Sequence, residues 1–219
     1  GLVGSEMCIR DRGPGEYRAV YKAEIDEKHN CIYLMPFANS NAIYVYDLAG
    51  KPLRSIPLHQ SVSKAVFKVD ADKRELTVGA LPFTGYPFVA WVQDFEGHLL
   101  DSVPAARHLS VLPDYSNEVM YGANTEVFDL YISTFFELRP DTLYHYIRSE
   151  SRLKPRFTLN IGDRKRSITT FYELPQAYVG RLMVEEQVGD GMWETKSPSN
   201  FIVDKACLLY TSPSPRDPK

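Results

Sequence analysis

AIYVYDLAGKPLRSIP, residues 42–57, decides the fold, because a variant of it returns as AWVQDFEGHLLDSVP at residues 90–104. Asp47, Gly50, Leu53, Ile56 and Pro57 fall on Asp94, Gly97, Leu100, Val103 and Pro104, each displaced by 47 residues. A fixed displacement across five positions is a repeat, and a period in the forties with strand-turn-strand content predicts β-propeller blades. The turn has a mechanism. Asp47 is placed to accept from backbone amides ahead of it and Gly50 takes positive φ freely, so the segment folds back as an antiparallel hairpin.

Working outward, Ile25-Asp26 and Val69-Asp70 each precede a polar run and then an apolar one, Cys31 to Leu34 and Leu76 to Val78, at a displacement of 44. Each repeat therefore supplies three or four strands. The expected class is all-β, a partial propeller of about four blades, each a four-stranded antiparallel sheet. The blades are read at about 17–58, 63–104, 108–161 and 168–206, with 14 Tyr and 11 Phe in alternating runs that suit half-buried strands.

The two ends are set aside first. LVGSEMCIRD (2–11) and CLLYTSPSPR (207–216) can be encoded by DNA segments that are reverse complements of one another, which two unrelated protein ends would not be. Residues 1–12 and 207–219 are therefore read as adapter-derived tails and 13–206 as the native part. Removing Arg10, Arg12, Arg216 and Lys219, and Glu6, Asp11 and Asp217, takes 25 basic and 28 acidic residues to 21 and 25. The resulting net charge of −4 argues against nucleic-acid binding and against a polybasic membrane surface. Cys31 is then the sole native cysteine, so no internal disulfide is expected. No window approaches the roughly 18–20 apolar residues of a membrane span.

The third repeat is irregular. Thr142 to Ile147 (TLYHYI) echoes Ile43 to Tyr46, but Arg148-Ser-Glu-Ser-Arg152 replaces the Asp-x-x-Gly turn before the return strand at Leu153 to Ile161. The fourth has an apolar run at Tyr178 to Val184, a turn at Gly189-Asp-Gly191, and Phe201-Ile-Val-Asp204 in the image of Tyr44-Val-Tyr-Asp47.

Arg139-Pro-Asp-Thr-Leu-Tyr-His-Tyr146, Leu153-Lys-Pro-Arg-Phe-Thr-Leu159 and Asp47 to Pro57 carry a family resemblance over essentially the whole native part. The chain resembles six-bladed β-propeller proteins of bacterial cell envelopes, often lipoproteins, grouped as a domain of unknown function. The resemblance implies about two further blades, export to the periplasm or cell surface, and a lipid anchor as the only membrane contact. It brings no catalytic residues with it. An open set of blades would expose apolar faces, so this chain is expected to be oligomeric or poorly soluble.

Chemistry is sparse. His29, His59, His98, His108 and His145 lack ligand-pair spacing, and only His145, within a tyrosine-flanked strand, is expected in a core role, with metal ligation the second reading. Asp70-Ala-Asp72 begins like a calcium loop but lacks the glycine and terminal carboxylate, so it reads as a polar turn. The Gly162 to Ser167 run with Arg152, Lys154 and Arg156 is the densest positive region, read as a solvated loop, or else as a contact for anionic groups. Thr84 to Pro87 with Trp91 offers aromatic surface for stacking on a sugar, although packing between blades is the commoner use. Glu126, Asp129, Glu137, Glu173, Glu185 and Glu186 are carboxylates by type, with no pairing visible in a linear sequence. No serine-nucleophile, Walker or dinucleotide motif occurs in the native part. No catalytic, metal or cofactor residue is named. The expectation is a binding module for a glycan, peptide or protein partner; the alternative is a hydrolase or lyase with its site on the propeller axis.

Overall fold

The computed structural model describes residues 19–109, 116–121, 127–134, 141–159 and 165–208. Four antiparallel sheets of four strands follow one another along the chain. The first holds β1 (Val20–Asp26), β2 (Cys31–Pro36), β3 (Ser40–Asp47) and β4 (Pro52–Val62) in that order. The second holds β5 (Ala65–Asp70), β6 (Glu75–Ala80), β7 (Phe88–Asp94) and β8 (Leu99–Pro104). The third holds β9 (Glu118–Met120), β10 (Asp129–Ser133), β11 (Thr142–Ile147) and β12 (Arg152–Thr158). In the fourth, β13 (Lys165–Glu173) pairs with the long β14 (Ala177–Gly189), whose other edge takes both β15 (Met192–Thr195) and β16 (Ser199–Asp204) before a short helix, α1 (Lys205–Leu208).

First strands meet first strands: β1 lies against β5, and β5 against β9. This arrangement makes the fold propeller-like, with β1, β5 and β9 nearest a common axis. Alternation along β2 explains the packing. Cys31, Tyr33 and Met35 point to the second sheet and are buried, whereas Ile32 and Leu34 point away and are half-buried. The second sheet is covered on both faces, which is why its third strand reads as the continuous run Phe88-Val-Ala-Trp-Val92. Phe67, Leu76, Val78 and Trp91 pack on the first sheet, and Val66, Ala90, Val92 and Val103 on the third. Phe157 stacks on Tyr178 at 4.1 Å to join the third sheet to the fourth.

The repeated turn takes one geometry in three sheets. Gly50 N donates to Asp47 O at 3.0 Å and Gly97 N to Asp94 O at 3.2 Å, with φ of 83° and 90°. The irregular third turn closes in the same way. Ser151 N donates to Arg148 O at 3.1 Å, and Ser151 itself adopts φ 46°, its hydroxyl held by Asp101. A side-chain bond thus offsets the left-handed strain that glycine avoids elsewhere.

Two features depart from the sequence reading. Strand β4 runs on past Pro57 to Val62, because Leu58, Gln60 and Val62 all face the second sheet and are buried there. The fourth sheet gains β15, a hairpin return from Asp190-Gly191. It leaves β16 in third place, with Asp204 opposite Ala177 as Asp47 is opposite Cys31. The end of the expected return strand, at 160–161, and the following residues 162–164 lie outside the described residues.

Candidate functional site

The axial ends of β1 and β5 form the site. Asp26 and Asp70 each cap the turn after their strand, accepting from His29 N and Lys73 N at 3.0 Å. These turns, with Val127, Phe128 and Arg148 of the third sheet, enclose an open cleft of about 670 Å³. The displacement of 44 that relates the turns also relates Glu24 to Lys68, so both occupy the same place on successive inner strands. Both line the cleft.

Most of the wall's charges are engaged with one another. Lys28 donates to Asp72 at 2.6 Å, His29 bridges Asp26 and Asp72, Lys73 pairs with Asp70, and Arg148 reaches Glu75 at 2.6 Å. These partners hold the Asp70 and Asp72 carboxyls below their ordinary range and raise Arg148.

Glu24 differs. Among the described residues its two oxygens share a single donor, Val69 N, at 3.3 and 3.2 Å. Burial pushes its carboxyl up to about 6, against the pull of the Val69 amide and of Lys68 and Lys22. Burial conversely lowers Lys22, whose ammonium sits 4.3 Å over the Tyr121 ring. Tyr121 stacks on Phe128 at 5.8 Å and 11°, and its hydroxyl is raised by burial and by the charges of Glu24 and Asp129.

The other end of the inner strands is tied shut. The Tyr21 hydroxyl donates to Glu118 at 2.6 Å, and buried Lys64 bonds Asn117 O at 3.0 Å and the Glu118 carboxylate. Three sheets are joined there through β1, the β4–β5 link and β9. Burial and Glu118 raise the Tyr21 hydroxyl, so it stays a donor.

The residues singled out by sequence do not converge. His145 is buried as expected, its Nε2 2.5 Å from Glu173 Oε2, while Lys205 Nζ donates to Glu173 at 2.6 Å. That cluster joins the third sheet to the fourth. Asp129 faces His145 across β10 and β11 and is likewise buried. Glu185 and Glu186 sit on the distant hairpin beside Thr195 and Lys196. Trp91 is fully buried between sheets and donates to Gln93, which removes it from any sugar-stacking surface. Asp70-Ala-Asp72 forms a hairpin turn, its carboxylates taken by Lys73 and by Lys28 with His29. Glu126, Glu137 and residues 162–164 of the Gly162 to Ser167 run lie outside the described residues, whereas 165–167 open strand β13 against β14 instead of a loop. Among the described residues, no three His, Cys, Asp or Glu side chains are placed to hold a metal ion. Sequence reading missed Glu24, Lys68 and Tyr121. The displacement of 44 was the available signal for the first two; nothing in the linear chain marked Tyr121.

No protein-family model matches the chain, and no curated protein matches it in sequence. Solved structures do. A protein of Bacteroides fragilis NCTC 9343, provisionally described as exported, aligns with TM-score 0.52 and 14% identity over 88% of this chain and 60% of its own. An auxiliary nutrient binding protein of Bacteroides thetaiotaomicron VPI-5482 aligns with TM-score 0.46 and 9% identity, over 84% of this chain and 42% of that one. The periplasmic gluconolactonase of Pseudomonas aeruginosa gives 0.40 and 14%, over 84% and 56%. The chain spans less than two thirds of each. At such identity the first likeness speaks to the fold, all-β and propeller-like, and to nothing finer.

Proposed function

We propose that this chain is part of an extracytoplasmic β-propeller, six-bladed when complete and lipid-anchored, that binds a glycan, peptide or protein partner in the axial cleft. The observation that carries the reading is the cleft itself. It lies where three sheets meet, it is open, and its wall presents prearranged donors and acceptors whose charges already pair with each other. Such a wall suits a polar ligand that need bring no strong charge of its own. Export is supported by the description of the B. fragilis neighbour, and the six-blade count and anchor by the family resemblance.

The alternative, a hydrolase or lyase on the axis, has one observation in its favour. A carboxyl raised to about 6 beside a cleft is poised for proton transfer near neutral pH. Among the described residues, the other half-buried carboxyls of that cleft are held in side-chain pairs and Glu27 stands exposed, so no second buried carboxyl is free to work with Glu24 and binding is the better reading.

The test is a screen of the chain against immobilised glycans, peptides and envelope proteins, repeated with the exposed rim pair Lys28→Ala and Asp72→Ala. Binding weakened by the rim substitutions is expected. A blank screen, or a bound ligand indifferent to them, would refute the proposal.

A further inference from the structure

Glu24 singles out the chemistry of the ligand. An ionised carboxylate offers about four lone-pair positions, and among the described residues Glu24 receives one backbone N–H shared between both oxygens. The other half-buried or paired carboxylates of the wall have side-chain partners: Asp26 has His29, Asp70 has Lys73, Asp72 has Lys28, and Glu75 has Arg148. Glu27 is solvent-exposed. Glu24 is therefore the acceptor held partly out of water and incompletely served.

Its neighbours decide what serves it. Lys22 and Lys68 both act on Glu24 through charge, so an incoming ammonium would meet two cations of its own sign. An anion would meet the negative charge of Glu24 itself, the acceptor it would have to approach. A neutral hydroxyl donor meets neither obstacle. Phe128 also lines the cleft, but it is buried and stacked on Tyr121, so it adds apolar wall rather than an open ring face.

We infer, resting on the binding reading above, that the cleft recognises a neutral sugar through two adjacent hydroxyls donating to the two oxygens of Glu24. Lys68, exposed on the same wall, donates to a sugar oxygen. Recognition needs the carboxylate, and the groups facing it are Lys22 and Asp26 on β1, Lys68 and the Val69 amide on β5, and Tyr121 after β9. The wider wall adds His29, Asp70, Asp72, Glu75 and Arg148. Affinity therefore falls on acidification through the titration of Glu24.

The experiment is an array carrying neutral hexose oligosaccharides, uronic-acid oligosaccharides and chitosan oligosaccharides, probed with the full chain at pH 7.5 and pH 5. Glu24→Gln and Lys68→Met are probed in parallel, with melting temperatures as a check on folding. Expected are binding in the neutral arm, at least tenfold weaker binding at pH 5, and a similar loss in folded Glu24→Gln with its pH dependence gone. Preference for the uronic or chitosan arm would overturn this inference and leave a binding module standing. So would neutral-sugar binding that folded Glu24→Gln retains at full strength. Silence in all three arms overturns the inference; a hit in the peptide and protein screen would then still support the broader function, whereas silence there as well would end both.

Discussion

Replacing Gln93 with leucine isolates the polar seam that joins the first two sheets. Gln93 is fully buried, and its amide is satisfied on both sides. Its Oε1 accepts from His59 N and from Trp91 Nε1, both at 2.9 Å, and its Nε2 donates to Pro57 O at 2.7 Å and Asp94 O at 3.2 Å. One side chain thus stands in for a ladder between β4 and β7, which belong to different sheets. Leucine keeps nearly the same volume, so the cavity cost is small and the loss is one of hydrogen bonding. It strands the indole N–H of Trp91, which no water reaches, and deprives the His59 amide and Pro57 carbonyl at a partly buried edge. At about 1–3 kcal/mol for each buried group left unsatisfied, and taking the low end for the two partly buried ones, the cost is about 3–5 kcal/mol. That is a large share of the roughly 5–15 kcal/mol by which such folds are stable. Gln60 provides an internal control. Its amide makes a two-bond pair with Phe88 N and O at 3.0 and 3.1 Å, so Gln60→Leu should cost about half as much. Urea unfolding followed by tryptophan fluorescence reads both, with the slope checked for two-state behaviour. A loss under about 1 kcal/mol for Gln93→Leu, or a larger loss for Gln60→Leu, would refute the claim that this seam is carried by amide hydrogen bonds.

Three further outcomes follow from the same geometry. Gly97→Ala should destabilise more than Gly50→Ala: both positions have positive φ, but a Cβ at 97 meets Pro57 at 3.3 Å while one at 50 meets nothing within 4 Å. Equal losses in parallel thermal melts would contradict this. The outer face of the first sheet should drive self-association, since Ile25 and Leu53 are 63% and 52% exposed. Light scattering should show concentration-dependent oligomers that Ile25→Lys with Leu53→Lys reduces, and a monodisperse unsubstituted monomer would refute the expectation. Glu24 should make stability fall as pH rises through about 4.5 to 6, because its folded carboxyl binds a proton more tightly than the unfolded one. Glu24→Gln should flatten that slope and melt no lower at pH 7.5; an unchanged slope in the variant would place the titration elsewhere.

The hairpin repeat was legible because its residues are dictated locally. An aspartate that caps a turn and a glycine that takes positive φ are needed wherever the strand reverses, so Asp47 and Gly50 return at Asp94 and Gly97. The third turn hid from the same reading because Ser151 reaches the left-handed conformation with help from Asp101, a residue 50 positions away. Burial was legible only in part for a similar reason. Ile32, Leu34 and Tyr44 match Leu76, Val78 and Trp91 by displacement, yet the first three are half-buried and the second three fully buried. The strand pattern is common to both; what differs is whether another sheet lies on that face.

The same distinction explains why the site was hard to see. A catalytic motif announces itself through neighbours in sequence, whereas this cleft is assembled from equivalent positions of successive repeats plus Val127, Phe128 and Arg148 from a third. In β1 and β5 the displacement of 44 puts a carboxylate where the next sheet has an ammonium, Glu24 against Lys68, while Asp26 and Asp70 keep one identity because both cap a turn. Positions that serve the fold are repeated, and positions facing the axis are free to diverge. In a propeller-like chain, the difference between aligned repeats is thus a physical guide to the ligand, and Glu24 against Lys68 is such a difference at the mouth of this cleft.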